Sequence, residues 1–551
     1  MADQAIDIAD PAGGAACSSP SGSGAAGITE YRDKHIRQIR KLTRIGVALS
    51  AERNIGRLFE MIVEQAREFT HADGGTLYIA SDDEAELQFA IVQTETLNVR
   101  MGGTGGQITW KPVQLRNPDG TPNHGNVSAH VALTGKTINI PDVYDAGDFD
   151  FQGTGKFDAQ TGYRSKSMLV VPMKNHENDI IGVLQLLNAR NDEQSEVIPF
   201  STECQEITES LASQAAVALS NNCLIHDLEE LMDSFIHAIA TAIDEKSPYT
   251  GGHVRRVAEL TTAIANRIND AKAGPYADVR LSADQLKELQ TAAWLHDVGK
   301  ITIPEYVVDK ATKLETIYDR IELLRLRFEV CGLQARIRKL EKGAASEALQ
   351  AAEPDEVGRG LKEEFRFLSA ANRGSERMSD EMMEKVRTIA GRTWMLDGRE
   401  EALISPDEVE NLNIRQGTLS AKEREIIQNH AKMTDKILSQ LPFPKKLKNV
   451  PYYAATHHEM LNGRGYPRGL KADKLPLQSR IIALADIFEA LTADDRPYRK
   501  GKTLAETMHI LALMVKDGHL DPDLFAFFQA EGLHHCFGKD EPGGGQTSHQ
   551  R

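Results

Sequence analysis

The sequence predicts a multidomain protein in which an α+β domain, a long helical linker and an all-α domain with a helical insertion follow one another. Three observations support this prediction. The chain has 551 residues, which is too long for a single hydrophobic core. Strand-like runs between helical segments fill residues 28–203, and histidine-bearing helical stretches fill much of the chain after residue 245.

The composition excludes several classes of partner. A formal net charge of −16 argues against broad contact with a nucleic acid polymer or an anionic membrane, although a local basic pocket can still hold an anionic small ligand. The five cysteines form no CxxC pair, which is typical of reduced thiols in a cytosolic protein. No apolar run reaches the roughly 18 residues of a membrane span. We therefore expect a cytoplasmic protein.

The first domain has a helix–strands–helix order. Residues 1–27 are rich in Gly, Ala, Ser and Asp without periodicity, so we expect a disordered leader. A helical pattern covers residues 28–70. The strand-like runs are residues 75–80, 87–93, 107–115, 167–173 and 180–187, with helices at 127–133 and 200–221. This order predicts an antiparallel sheet over residues 28–203 with helices covering one face.

Part of this domain, from Ala132 to Asn188, resembles a GAF domain, a small-ligand sensor of the kind found in cyclic-nucleotide phosphodiesterases. The stretches 134–144, 157–165 and 181–186 carry the resemblance. Members that bind cyclic nucleotides have an Asn-Lys pair after the last strand, but here Ala189 follows Asn188. The resemblance therefore leaves two alternatives, a sensor whose unknown small ligand could be a cyclic nucleotide and a dimerising domain that binds no cyclic nucleotide.

Residues 204–244 are expected to form a signalling helix. No Pro or Gly occurs between Glu206 and Asp244, and one apolar seam steps by alternating four and three residues, which is coiled-coil spacing. Its members are Val217, Asn221, Leu224, Leu228, Leu231, Phe235, Ala238 and Ala242. A polar Asn221 in the seam would fix the register of a parallel homodimer. The alternative is a single long helix packed on its own domain.

Histidines and carboxylates recur on apolar helical ground in the last domain. They are His253, His296, Asp297, His430, His457, His458 and Asp486. Burying so many polar groups in one helical domain is costly without a cation. Imidazole with carboxylate suits Fe, Mn or Zn, and more than four ligands are too many for one tetrahedral ion. Two metal ions are therefore expected.

Residues from about Thr241 to Pro522 resemble an HD-GYP domain, a branch of the HD phosphohydrolases that hydrolyses cyclic dinucleotides. The resemblance rests on HDxGK at residues 296–300, HHE with GYP at residues 457–467, and the stretch 490–499. It implies one metal on His253, His296, Asp297 and Asp486, and a second on His430, His457 and His458. Asp297 would bridge the two ions, with Fe or Mn as the metals. Tyr249 stands where members with a third metal have a glutamate.

The resemblance also implies catalytic and substrate-binding residues. Two cations would lower the pKa of a bridging water for in-line attack on phosphorus, with Asp297 as the shared ligand. Lys300, four residues beyond His296, would lie on the same helical face and meet the charge on the phosphoryl oxygens. The substrate-binding residues carried over from the family are Tyr466, Arg496 and Arg499. Asn462 and Ser247 depart from the family pattern, where Asp is usual, and are expected to tune activity.

An insertion over residues 313–417 separates the two parts of this domain, residues 245–312 and 418–537. It begins with an apolar four-three rhythm at Leu314, Ile317, Ile321, Leu324, Phe328 and Cys331. This rhythm predicts a helical hairpin. The insertion is a passive spacer in one interpretation, and a lid or a dimer contact near the metals in the other. Residues 538–551 are expected to be a disordered tail.

The function implied by these resemblances is that of a metal-dependent phosphodiesterase regulated by its GAF domain. It would hydrolyse cyclic di-GMP to the linear dinucleotide pGpG and further to GMP. One alternative substrate is a mixed cyclic GMP-AMP dinucleotide, because the same motifs would serve it. The non-enzymatic alternative is a nucleotide receptor or scaffold, which the insertion and the substitutions at residues 247 and 462 leave open.

Overall fold

The computed structural model describes residues 24–81, 83, 85–191, 196–246, 252–341, 356–493 and 501–537. The chain divides after Glu230 into two compact units. Within the described residues, no helix combines the length and apolar character needed to cross a membrane. The expected leader and tail lie almost wholly outside the described residues, except that the first helix begins at Gly24 rather than at residue 28.

The first unit is an α+β domain, as predicted. Helices α1 (Gly24–Ala51) and α2 (Ile55–Thr70) precede an antiparallel sheet with strand order β3-β2-β1-β7-β6-β5. The strands are β1 (Ala72–Ala80), β2 (Glu86–Thr94), β3 (Val99–Gly102), β4 (Val113–Gln114), β5 (Ile138–Ile140), β6 (Met168–Lys174), β7 (Ile180–Arg190) and β8 (Val197–Ile198). Short helices α3 (Val127–Thr134) and α4 (Gln152–Thr161) lie between the strands along the chain.

The core of this unit lies between the sheet and the helices on one face. Leu58 and Ile62 of α2 are fully buried against Leu184 of β7 and Leu211 of the long helix α5 (Thr202–Asp244). The predicted strand at residues 107–115 is wrong except at β4. Pro112 has no N–H to donate to a strand ladder, and β3 pairs with β2 instead.

Helix α5 is one continuous element that contains residues 204–244, for which the sequence predicted a helix. Its signalling role remains a prediction. Its early turns are buried against the sheet through Leu211, Ala215 and Leu219. The large apolar residues of the predicted seam, Val217, Leu224, Leu228, Leu231 and Phe235, are 47–64% exposed. The seam therefore lies on a different side of the helix from the residues that pack on the domain.

The second unit is helical, as predicted. Its helices outside the insertion are α6 (His253–Asp270), α7 (Ala283–Leu295), α8 (Glu305–Val308), α13 (Ala421–Leu438), α14 (Val450–Ala455), α15 (Leu477–Thr492), α16 (Leu504–Lys516), α17 (Pro522–Ala530) and α18 (Leu533–Phe537). Buried Ile264, Leu289, Ala454, Ile482 and Phe528 from five of these helices form one core. The core holds α6, α7, α14 and α15 together, and these helices position the polar cluster described below.

The inserted residues build a separate small core. Helices α9 (Ile321–Glu341) and α10 (Glu356–Asn372) pack on each other as the predicted hairpin requires. The sequence analysis missed the elements that complete it, which are α11 (Asp380–Ala390), the hairpin β9 (Thr393–Leu396) with β10 (Arg399–Ala402), and α12 (Pro406–Leu412). Leu324, Phe328, Leu368, Val386 and Leu403 are buried together.

Candidate metal centre

His296 and Asp297 lie where helix α7 ends. The helix begins with a capping box between Ser282 and Gln285, and its last residue is Leu295. The imidazole Nδ1 of His296 donates a hydrogen bond to the Ala293 carbonyl at 2.7 Å, which turns Nε2 toward the cluster. Both side chains are buried, and Asp297 begins a short 3₁₀ turn at residues 298–302. The turn redirects the chain directly after the two polar groups.

A close approach at Gly299 brings this turn against helix α13. The Gly299 N–H donates to the Thr434 hydroxyl, which in turn donates to the His296 carbonyl, each at 3.0 Å. A Cβ at Gly299 would lie 2.0 Å from the His430 carbonyl oxygen, so no other residue fits without displacing the helix. The glycine of the HDxGK motif therefore allows the segment with His296 to pack closely against the helix with His430.

His430 and His457 face each other from α13 and the end of α14. Each donates Nδ1 to the carbonyl three residues earlier, Ile427 at 2.6 Å and Ala454 at 2.5 Å. Their Nε2 atoms lie 3.4 Å apart. Burial lowers the pKa of both imidazoles, and for His457 the neighbouring His458 lowers it further. Both rings are therefore neutral near pH 7 and present lone pairs to each other.

His458 completes this group beside Asp486. Burial lowers the pKa of His458 to about 4, so its ring is also neutral. Its Nδ1 lies 3.9 Å from Asp486 Oδ2 on helix α15. Burial alone would raise the pKa of Asp486, but the hydrogen bond from His253 and the nearby histidines hold it well below its usual range. Asp486 is therefore ionised.

His253 opens helix α6 and points at both aspartates. Its Nε2 lies 3.4 Å from Asp297 Oδ2 and 3.3 Å from Asp486 Oδ1. On its other side Nδ1 donates to the Glu489 carboxylate, which also accepts from Arg256 Nε at 2.6 Å. Burial alone would lower the pKa of His253, but these carboxylates raise it well above its usual value.

Asp297 lies between the two groups of histidines. Its Oδ2 is 3.4 Å from His253 Nε2 and 3.3 Å from His296 Nε2, whereas Oδ1 is 3.4 Å from His430 Nε2 and 4.0 Å from His457 Nε2. Although burial alone would raise its pKa, Lys300 and His296 hold the pKa of Asp297 well below the usual value. One ionised carboxylate thus presents a different oxygen to each group.

The arrangement fits two cation sites. The atoms of His253, His296 and Asp297 lie within 4.8 Å of one another, and so do those of His430, His457 and His458. Within the described part of the chain, His296 Nε2 is buried and has no hydrogen-bond partner. A metal ion bound by this buried nitrogen would compensate its lost hydration, because imidazole nitrogen is a common metal ligand. Nitrogen and oxygen donors of this kind suit Fe, Mn or Zn.

Lys300 contacts the cluster, but the backbone that positions it differs from the prediction. Because α7 ends before His296, Lys300 is not one α-helical turn beyond it, and that part of the argument is wrong. It lies on the 3₁₀ turn, where Nζ donates to Asp297 Oδ2 at 2.6 Å. A quarter of its side chain is exposed. The ammonium is therefore at the edge of the cluster with access to solvent.

The loop with the GYP motif places Tyr466 against the histidines. The Tyr466 ring lies 4.8 Å from the His458 ring, and burial raises the pKa of its hydroxyl. The Glu459 carboxylate accepts the Arg468 and Leu470 N–H groups at 2.7 and 2.8 Å, which fixes the path of the loop. A Cβ at Gly465 would clash with the backbone of residues 458–460. Glu459 and Gly465 thus set the position of Tyr466.

Four other residues were singled out in the sequence, and the structure describes one of them. Arg496, Arg499 and Ser247 lie outside the described residues. Asn462 is described, and its side-chain amide donates to the Asp517 carbonyl at 2.8 Å while its oxygen accepts the Arg464 N–H at 2.9 Å. An aspartate could not donate the first of these bonds. Asn462 therefore anchors the loop to the end of α16.

The sequence analysis missed Glu489 and Arg256. Glu489 is three residues beyond Asp486 on α15, so both carboxylates lie on the same side of a nearly wholly buried helix. A second carboxylate at this spacing in an apolar helix was the available signal. Through its hydrogen bond to Nδ1, Glu489 orients the His253 ring so that Nε2 faces Asp297. Arg256 in turn balances the Glu489 charge.

Comparison with known families agrees with this architecture. The model of the GAF domain matches residues 54–219. Two models described as HD domain match residues 250–381 and 402–524, and both matches extend into the inserted segment 313–417. Together these matches contain the histidines and aspartates of the cluster.

Several relatives are similar over short parts of the chain. The chain is 42% identical over 113 residues to a 3′3′-cGAMP-specific phosphodiesterase of Vibrio cholerae, covering 20% of this chain and 23% of the relative. It is 42% identical over 79 residues to a cyclic di-GMP phosphodiesterase of Pseudomonas aeruginosa, covering 14% and 18%. A cyclic di-GMP phosphodiesterase of Thermotoga maritima is 40% identical over 93 residues, covering 17% and 25%. The matches span a quarter or less of these relatives.

Proposed function

Because the chain carries a GAF domain followed by an HD domain of the HD-GYP type, we propose that it is a metal-dependent phosphodiesterase that hydrolyses cyclic dinucleotides. The observation that carries the proposal is the Asp297 carboxylate, which presents one oxygen to His253 and His296 and the other to His430 and His457. A carboxylate shared in this way is typical of sites for two metal ions.

The proposed ligands follow from the two groups. One ion would be held by His253, His296, Asp297 and Asp486, and the second by His430, His457 and His458, with Asp297 contributing an oxygen to each group. This donor set suits iron, manganese or zinc, and the first candidates are iron and manganese, the metals expected from the resemblance to HD-GYP domains. When bound, two such ions supply Lewis acidity toward a phosphoryl group and lower the pKa of a water in the site.

The side chains around the proposed ion sites would bind the substrate and stabilise its charge. The ammonium of Lys300, held at the solvent-facing edge by Asp297, is placed to meet the negative charge that develops on the phosphoryl oxygens. Tyr466, fixed beside His458, contacts the substrate from the loop side. Arg496 and Arg499 are proposed to contact the substrate phosphates or bases. Glu489 keeps His253 oriented and does not touch the substrate.

Cyclic di-GMP is the first candidate substrate, with pGpG and then GMP as products. Two of the relatives described above are cyclic di-GMP phosphodiesterases, which supports this candidate. The second candidate is 3′3′-cGAMP, because three relatives carry that specificity in their names. The two substrates differ at one base, so the contacts that discriminate them lie outside the metal cluster.

Regulation is proposed to come from the GAF domain through helix α5. The exposed seam from Val217 to Phe235 would pair with the same seam of a second copy and form a homodimer. A small ligand in the GAF domain would then change turnover through this helix.

The proposal is tested by loading the purified protein with Mn²⁺ or Fe²⁺ and separating products by chromatography. Incubation with cyclic di-GMP should yield pGpG, and a parallel incubation with 3′3′-cGAMP ranks the two substrates by kcat/KM. Elemental analysis of the same sample should find two ions per chain. If neither nucleotide is hydrolysed when two metals are bound, the proposed phosphodiesterase activity is refuted. Tight binding of cyclic di-GMP in that case would favour the receptor function instead.

A further inference from the structure

Helix α9 in the inserted segment has two apolar faces. One face packs into the core of the insertion through Leu324 and Phe328, which are 0% and 5% exposed. The other face carries Leu326, Leu333 and Ile337, which are 50%, 54% and 52% exposed. Packing on the first face already holds the helix, so the second face is presented on a preformed surface.

The exposed residues follow a seven-residue repeat. Leu323, Leu326, Val330, Leu333 and Ile337 are spaced by three, four, three and four residues, which is the spacing of positions a and d in a coiled coil. We call this set the α9 seam. Val330 and Leu323 are partly exposed, so the seam is continuous over four turns of helix. A strict heptad of this kind fits a second helix with the same repeat.

The neighbouring part of this chain is a poor cover for the seam. Residues 342–355, which follow α9 and lie outside the described residues, contain a single large apolar residue, Leu349. Five seam positions need more than one apolar partner. A second copy of α9, by contrast, supplies an identical seam.

Charges beside the seam favour an antiparallel arrangement. Glu329 and Arg336 are exposed and occupy g positions on the same side of the seam. Within its own helix Glu329 also accepts a hydrogen bond from Arg325 Nη1 at 2.9 Å, an exposed i,i+4 pair that adds little stability and leaves the carboxylate accessible to a second cation. When two copies run antiparallel with Leu326 opposite Ile337 and Val330 opposite Leu333, each Glu329 lies opposite Arg336 of the second copy. On the other side of the seam, Arg327 is held by Glu408 at 2.7 Å within the insertion. The attraction therefore comes from the Glu329–Arg336 pairs.

We propose that the α9 seam is an antiparallel, two-fold symmetric contact with α9 of a second copy of this chain. The contact goes beyond the pairing proposed for α5, because it uses the insertion and a different helix. It gives the insertion a function as a self-association arm.

The experiment is sedimentation velocity of the full chain over a concentration series. Leu326→Glu with Leu333→Glu places charges in the seam and should weaken self-association at least about 100-fold, or lower the oligomer by one step. Ile317→Glu is the matched control, because Ile317 is 94% exposed and lies outside the repeat. It should leave association unchanged. Circular dichroism confirms that the variants are folded.

Charge exchange tests the arrangement without altering the apolar residues. Glu329→Arg alone and Arg336→Glu alone should each weaken association, because like charges then face each other. The double variant should restore the wild-type value. The proposal is overturned by equal association of the wild type and the Leu326→Glu, Leu333→Glu variant. Failure of the double charge variant to recover would overturn the antiparallel pairing.

Discussion

Replacing Gly299 with alanine tests how the cluster is assembled without removing any ligand. The new Cβ would lie 2.0 Å from the His430 carbonyl oxygen and 2.7 Å from the Thr434 nitrogen. Both atoms belong to the backbone of helix α13, so neither can rotate away. At least about 1 Å of movement is needed to reach even a tight contact of 3.0 Å. Metal sites tolerate ligand displacements of only about 0.2 Å.

The displacement separates His430 from Asp297, whichever side moves, because Asp297 is two residues before Gly299. We expect the affinity for the ion at His430, His457 and His458 to fall more than the affinity for the ion at His253, His296 and Asp486. Turnover should fall about 100-fold or more. Overpacking should also lower the free energy of unfolding by about 1–3 kcal/mol.

The measurement combines elemental analysis with turnover of a cyclic dinucleotide by the same sample. Gly360→Ala in helix α10 is the matched control, since a Cβ there meets nothing within 4 Å. It should retain both metals and full activity. If Gly299→Ala also retains two ions and full turnover, the close approach of the 3₁₀ turn to α13 does not position the ligands.

Three further predictions concern single side chains. Asp297→Ala should lose both metals and all turnover, because its carboxylate is the proposed shared ligand. Lys300→Ala should keep both metals and slow turnover about 100-fold, because Lys300 is proposed to act on the developing charge. Equal metal loss in both variants would contradict this role of Lys300. Glu489→Gln should weaken metal binding about 10 to 100-fold through the His253 ring. Excess metal should then restore kcat with KM unchanged, and a deficit that persists at saturating metal would show that orienting His253 is not its role. Burial lowers the pKa of Lys313 to about 8 from 10.5, so the unfolded chain binds the proton more tightly. The free energy of unfolding should therefore rise between pH 8 and 10.5, by at most about 1.4 kcal/mol per pH unit. Denaturant titrations of Lys313→Met should show a smaller rise, and an identical pH profile would contradict the shifted pKa.

The residue types that chemistry demands were readable from the sequence. Imidazoles and carboxylates in apolar helices are costly unless they meet, and the structure brings together all seven that were predicted as ligands. Their roles as metal ligands remain predictions. Glu489 was missed because its role depends on a contact in three dimensions. Its carboxylate binds the Nδ1 atom of His253, on the side of the ring away from Asp297.

Local geometry was harder to predict than composition. Lys300 would lie one helical turn beyond His296 only if α7 continued, but the chain enters a 3₁₀ turn after Asp297, where Gly299 packs directly on α13. Alternating apolar residues at 107–115 suggested a strand. There, Trp110 instead packs edge-on against Phe89 at 5.3 Å from a loop. In both places a tertiary contact overrides the local pattern.

The two ends of the insertion affect the entropy lost when the two parts of the HD domain come together during folding. Lys310 Nζ binds the Glu423 carboxylate at 2.8 Å, and the Thr418 hydroxyl donates to the Lys310 carbonyl at 3.0 Å. The insertion thus leaves and re-enters the domain at nearly the same point. Once its own core has formed, the segment from His296 to His430 behaves as a short closed loop, and the entropy of closure grows only with the logarithm of loop length. Sequence distance along the chain therefore adds little to the free energy of assembling the metal centre.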